Sequence, residues 1–220
     1  DCLQHPDIVK SMYDAAVEAL EIKRNLWWFG HHSNYPGSIL HGSVELMQAL
    51  MELLDRLKRV ADAHSGAFAS EGFARFFSML QTELTEAYFA RVNIHLKELK
   101  FRHGVLISAE LGPGNQGTNY VLRKASGKEP RWFDRFFAPA RHAYTFRIHD
   151  RDEAGARALG ELRDRGINLA ANALAQSADH VLNFFIMLKR ELAFYLGCVQ
   201  LHRRLIQKGA PVCFPVPAPP

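Results

Sequence analysis

From Pro6 to Trp28 the apolar residues Ile8, Val9, Met12, Ala15, Ala16, Ala19, Leu20 and Leu26 recur at spacings of three and four, and Pro6 suits a first helical turn. This predicts an amphipathic helix over 6–28. The next stretch, FGHHSNYPGS, gathers Gly, Asn, Pro and Ser, which supply turn geometry, and places Ser38 to cap a second helix. In that second predicted helix Leu40, Val44, Met47, Met51 and Leu54 form one stripe, with Leu46, Leu50, Leu53, Leu57 and Val60 beside it. A face that wide calls for more than one packing partner. The helix is expected to end near His64, before Ser65-Gly66. Phe73, Phe76, Phe77, Leu80, Leu84, Tyr88, Phe89, Val92, Leu96 and Leu99 keep the helical period from about Ser70 to Arg102. At 1.5 Å per residue this predicts a rod of about 45 Å, long enough to project from a compact core.

The period then changes. GVLISAEL, TNYVLRK and AYTFRIH alternate and are rich in β-branched and aromatic residues, which predicts three or more strands. GPGNQG between the first two is a turn, and ASGKEPRWFDRFFAPA between the last two is too mixed to assign. Helical spacing returns after HDRDEAGA, where Asp150 followed by Glu153 resembles a capping box. It continues through Leu159, Leu162, Leu169, Leu174, Val181, Phe185, Leu188, Leu192, Tyr195 and Val199 almost to Gln207. Gly155, Gly160 and Gly166 weaken the first third of this helix, where a bend or break is expected. The fold class is therefore mainly α: a helical core with long lever-like helices and a small antiparallel β insert at about residues 103–150. The expected divisions are a helical core with an outgoing lever helix (1–102), the basic insert (103–150), a returning lever and core helix (151–209) and a proline-rich linker (210–220).

Composition adds little to this until charge is resolved along the chain. Of the 220 residues 48% are hydrophobic and 23% charged, which are ordinary globular values, and no apolar run is long enough for a membrane span. Residues 1–100 carry 10 basic and 13 acidic side chains, whereas 101–165 carry 12 and 8, and 166–220 carry 5 and 2. The basic character thus begins in the insert, a mild pointer to a polyanionic partner. Cys2, Cys198 and Cys213 fit neither a disulfide framework nor a zinc site and suit a reducing, cytoplasmic setting. Cys198, within FYLGCVQL, is expected to be buried and inert. The non-Met start and the tail PVCFPVPAPP suggest a piece of a longer protein.

Chemistry is scarce. Gly112 to Thr118 has the outline of a phosphate loop but lacks the Lys before the Thr and runs between strands, so a turn is favoured over a nucleotide site. No HExxH or Glu-x-x-His motif occurs, and the pair His41 and Glu45, one turn apart, reads as helix surface before metal ligand. Asp150, Asp152 and Glu153 are explained by helix capping, with Arg147, Arg151 and Arg157 as ion-pair partners. No catalytic residues, no metal and no cofactor are assigned to the chain, and it is not expected to be an enzyme. The insert remains: Arg123, Lys124, Lys128, Arg131, Arg135, Arg141, Arg147 and Arg151 are interleaved with Trp132, Phe133, Phe136, Phe137, Tyr144 and Phe146. Cations neutralise phosphates, and the aromatics either stack on bases or form a small core.

Three runs carry a family resemblance. They are FARFFSMLQTELTEAYFARVNIHLKELKFRHGVLISAELGPGNQGTNYVLRK, YTFRIHDRDEAGARALGELRDRGINLAANALAQSADHVLNFFIMLKRELAFYLGCVQL and GAPVCFPVP. Together they resemble the non-catalytic part of the MutS-like ATPases related to DNA mismatch repair. The resemblance implies a helical core, lever helices and a DNA-facing β clamp, followed by an ATPase domain that would use ATP and Mg. It also implies a homodimer in the full-length protein. Neither the Walker motifs of that ATPase nor the mismatch-reading domain occurs in residues 1–220, and the insert is shorter than the usual clamp. The expected partners are DNA and the chain's own ATPase domain, without a membrane. Arg123, Lys124, Arg131, Arg135 and Arg141 are the expected phosphate contacts. The alternative is a helical protein-interaction scaffold anchored through Trp132 to Phe137.

Overall fold

A computed structural model describes residues 1–28, 34–102, 104–124 and 147–213. The elements are α1 (Pro6–Trp28), α2 (Pro36–His64), α3 (Glu71–Glu83), α4 (Glu86–Leu99), β1 (Leu106–Leu111), β2 (Gly117–Arg123) and α5 (Glu153–Gln207). The protein is mainly α, with one small antiparallel sheet among the described residues.

α2 lies at the centre because its apolar face is wide. It packs against α1, α3, α4 and α5, as the paired stripes in its sequence require. α1 contributes the fully buried residues Val9, Met12, Ala15, Ala16 and Ala19. Three alanines on one face let the backbones of neighbouring helices come close. α5 inserts Ile167, Ala171, Ala178, Leu182, Phe185, Leu188 and Leu192 into the same core. A smaller aromatic group joins α3 to the segment before it, with the Phe68 ring centroid 4.6 Å from Phe73 and 5.2 Å from Phe77. Asp1 adds a tie at the start of α3, its carboxylate accepting from the backbone N–H groups of Ala69 and Ser70 at 3.2 and 2.7 Å.

Several local expectations are corrected. The rod predicted over 70–102 is two helices, broken at Leu84 and Thr85. Thr85 takes an extended conformation and its hydroxyl accepts from the Tyr88 N–H at 3.2 Å, so a new helix starts there, with Glu86 favourable in its first turn. The interruption preserves the phase of the apolar stripe, which is why periodicity did not reveal it. α2 begins at Pro36 after an extended Tyr35, so Ser38 lies inside its first turn and is not the cap. α5 is capped by Asp152, which accepts from the Gly155 N–H at 2.8 Å, and not by Asp150. No ion pair joins Arg147, Arg151 or Arg157 to this carboxylate cluster among the described residues.

A further correction concerns the glycines of α5, which neither break nor end it: the helix runs uninterrupted for 55 residues. At 1.5 Å per residue that is about 80 Å. Gly166 is buried because strand β1 crosses there, and the helix accepts a poor helix former to let the strand approach. The thiols also differ from expectation: Cys198 is exposed, and Cys2 is half-buried, where burial pushes its thiol up.

Candidate functional site

β1 and β2 form a hairpin in which Leu106 pairs with Arg123 and Ile107 with Leu122, with an irregularity in register between Ser108 and Glu110. The GPGNQG loop is the hairpin turn: Gly112 N–H donates to the Gln116 carbonyl at 2.8 Å, and Gly114 takes φ 69°, a left-handed conformation that glycine adopts freely. No helix starts at its end, so its backbone offers no phosphate cradle of the kind that ATP requires. Among the described residues no three His, Cys, Asp or Glu side chains are grouped to hold a metal ion. His41 Nε2 instead lies 3.2 Å from Glu45 Oε1.

The strand alternation sets the two faces of the hairpin. Thr118, Tyr120 and Leu122 are partly buried, while Asn119, Val121 and Arg123 are exposed. Ile107 and Leu122 face inward, with Ile107 against Gly166 of α5 and Leu122 packed against the edge of the main core. The Arg165 guanidinium sits 6.0 Å from the centre of the Tyr120 ring, a cation–π contact that joins helix to hairpin. Arg165 was not singled out from sequence, because a helical arginine gives no local sign of the distant ring it covers.

Two of the five expected phosphate contacts fall in the described structure. Arg123 is exposed at the end of β2, with its Nε donating to Ser108 Oγ at 2.9 Å, which steadies the stem of the guanidinium. Lys124 is also exposed, but its Nζ lies 2.7 Å from Glu98 Oε1 at the end of α4. This hydrogen bond from Lys124 is the main cause holding the Glu98 carboxyl below its ordinary range, with His95 nearby at 3.5 Å adding to it. An exposed pair of this kind is screened by solvent and adds little stability, so Lys124 can exchange Glu98 for another anion at little cost. Arg131, Arg135 and Arg141 lie outside the described residues, as do Trp132 to Phe137 and most of the third predicted strand. Of that strand, Arg147 to His149 are described and are not in a ladder. Most of the proline-rich tail is likewise outside the described residues.

A β hairpin held on one long helix of an α core defines a helical module with a small β attachment. The chain belongs to the family of the MutS2 N-terminal domain, whose description matches residues 1–208. No curated protein and no solved structure matches it.

Proposed function

We propose that this MutS2-family module binds duplex DNA through its basic β insert and passes conformational change along α5 to an ATPase domain elsewhere in the parent protein. Its own role is binding and mechanical coupling, without catalysis. The observation that carries the reading is the dual attachment of α5. Near its start the helix holds the hairpin through Gly166 and Arg165, and further along it supplies Phe185, Leu188 and Leu192 to the core. A displacement of the hairpin therefore acts directly on a helix rooted between α1 and α2.

Arg123, Lys124, Arg131, Arg135 and Arg141 are assigned as phosphate-positioning groups with little base specificity. Arg123 supports this assignment by its exposure and its orientation by Ser108. The test is duplex binding at low salt by the chain with all five replaced by alanine. A large loss of affinity is expected; unchanged affinity overturns the assignment.

A further inference from the structure

Two of the three thiols, far apart in sequence, are held beside one groove. Asp1 fixes the turn before α1. Its carboxylate accepts from the start of α3, and its carbonyl accepts from the Gln4 and His5 N–H groups at 3.0 and 2.9 Å. The His5 ring packs against Phe68, with 5.4 Å between centroids. Cys2 sits within this turn and lines a groove together with Leu188, Glu191, Leu192 and Tyr195 of α5. The Tyr195 ring lies 6.0 Å from that of Phe73, so α3 and α5 meet at the same place. At 100° per residue Cys198 stands about 20° from Glu191 around the helix, two turns further along the same edge and one turn beyond Tyr195.

Cys198 is exposed and Cys2 half-buried. Their thiols are near enough to interact: burial is the main cause that raises the Cys2 pKa, and the charge of Cys198 raises it further. We propose that Cys2 and Cys198 are a redox pair, which a low-molecular-weight disulfide such as oxidised glutathione converts into an intramolecular bond between the turn before α1 and α5. The accessible Cys198 thiolate attacks one sulfur of the oxidant, forming a mixed disulfide and releasing one glutathione. The Cys2 thiolate then attacks Cys198 Sγ and releases the second. Two protein thiols are oxidised, the glutathione disulfide is reduced to two thiols, and the two protons pass to these. Leu192 and Leu196 are the last residues of α5 in the main core, so the bond fastens the helix beyond its apolar attachment. Disulfides of reducing compartments are transient and redox-sensing, and an accessible thiol with a resolving partner suits that use. The pair acts whether or not the hairpin binds DNA.

The test treats the chain carrying Cys213→Ser, in which Cys2 and Cys198 are the only thiols, with oxidised glutathione. Mass spectrometry without reductant should find one chain lighter by two hydrogens, with the tryptic peptides DCLQHPDIVK and ELAFYLGCVQLHR joined. Adding Cys2→Ser should leave a lasting glutathione adduct on Cys198, because the resolving thiol is gone. Circular dichroism of both variants checks that the helices remain. In urea sufficient to unfold the chain, the ratio of internal bond to glutathione adduct should fall roughly tenfold or more, since only the fold brings the two thiols together. Reduction by dithiothreitol should reverse the linkage. The oxidised chain should also melt higher than the reduced one, by about 5–10 °C. The proposal is overturned if both thiols carry glutathione with no bond between them, or if linkage forms only between chains. It is equally overturned by an internal bond that forms as readily in the unfolded chain.

Discussion

Gly166 on α5 lies flush against Ile107 on β1: a Cβ at position 166 would collide with Ile107 Cδ1 and come within 2.6 Å of its Cγ1. Gly160, six residues earlier on the same helix, has nothing within 4 Å of the corresponding point. Two glycines in one helix therefore have opposite consequences. Gly160→Ala is expected to stabilise the protein by about 0.5–1 kcal/mol through helix propensity alone. Gly166→Ala gains the same propensity but must displace Ile107, at about 1–3 kcal/mol for overpacking, and is expected to be neutral to destabilising. Adding Ile107→Ala to Gly166→Ala should recover part of the loss. Urea unfolding of the two single variants and the pair measures the coupling; equal stabilisation by both glycine substitutions would show that the strand does not press on the helix.

The break between α3 and α4 rests on Thr85. Its hydroxyl caps α4 through the Tyr88 N–H, so Thr85→Ala is expected to cost about 1 kcal/mol, and Thr85→Ser much less. For a chain of this size that corresponds to a fall of about 2–4 °C in Tm by calorimetry. No difference between the alanine and serine variants would remove the cap from the account.

Lys124 and Glu98 make a pH-dependent tie between the hairpin and α4. The folded-state pKa of Glu98 is depressed below its ordinary value of 4.5, chiefly by the hydrogen bond from Lys124. Any stability from this pair is therefore fully present above that value and is lost as the pH falls through the lower, folded-state pKa. In Lys124→Met the Glu98 carboxyl should titrate closer to 4.5, which carboxyl NMR shifts can follow directly. An unmoved midpoint would mean that Lys124 does not hold Glu98 in solution. If Lys124 also serves DNA, Glu98→Gln frees the cation and removes a nearby negative charge, so low-salt affinity for duplex should rise.

Much of the helical architecture was legible in the sequence, because burial imposes a period that α1, α2 and α5 keep over many turns. α1 runs over the expected span, and α2 ends where Ser65-Gly66 pointed. The missed features depend on single side chains or on distant contacts. Thr85 breaks a stripe without shifting its phase, and Asp152 competes with Asp150 for one cap. Gly166 reads locally as weakness, and only the arrival of Ile107 explains it. The exposure of Cys198 was missed because its apolar neighbours divide between an inward and an outward face of α5. For the site, charge and alternation placed Arg123 and Lys124 on an exposed strand end, but the Ser108 and Glu98 partners come from elsewhere in the chain and leave no mark on the local pattern.

The most direct test of the DNA-binding role is the salt dependence of duplex affinity, compared between the chain and its Arg123, Lys124, Arg131, Arg135 and Arg141 alanine variant. Each phosphate neutralised contributes about 0.9 to the slope of log K against log salt, so loss of five contacts should make the slope shallower by about 4.5. A steep slope in the native chain that flattens in the variant is the predicted result. Equal slopes and equal affinities would contradict the account.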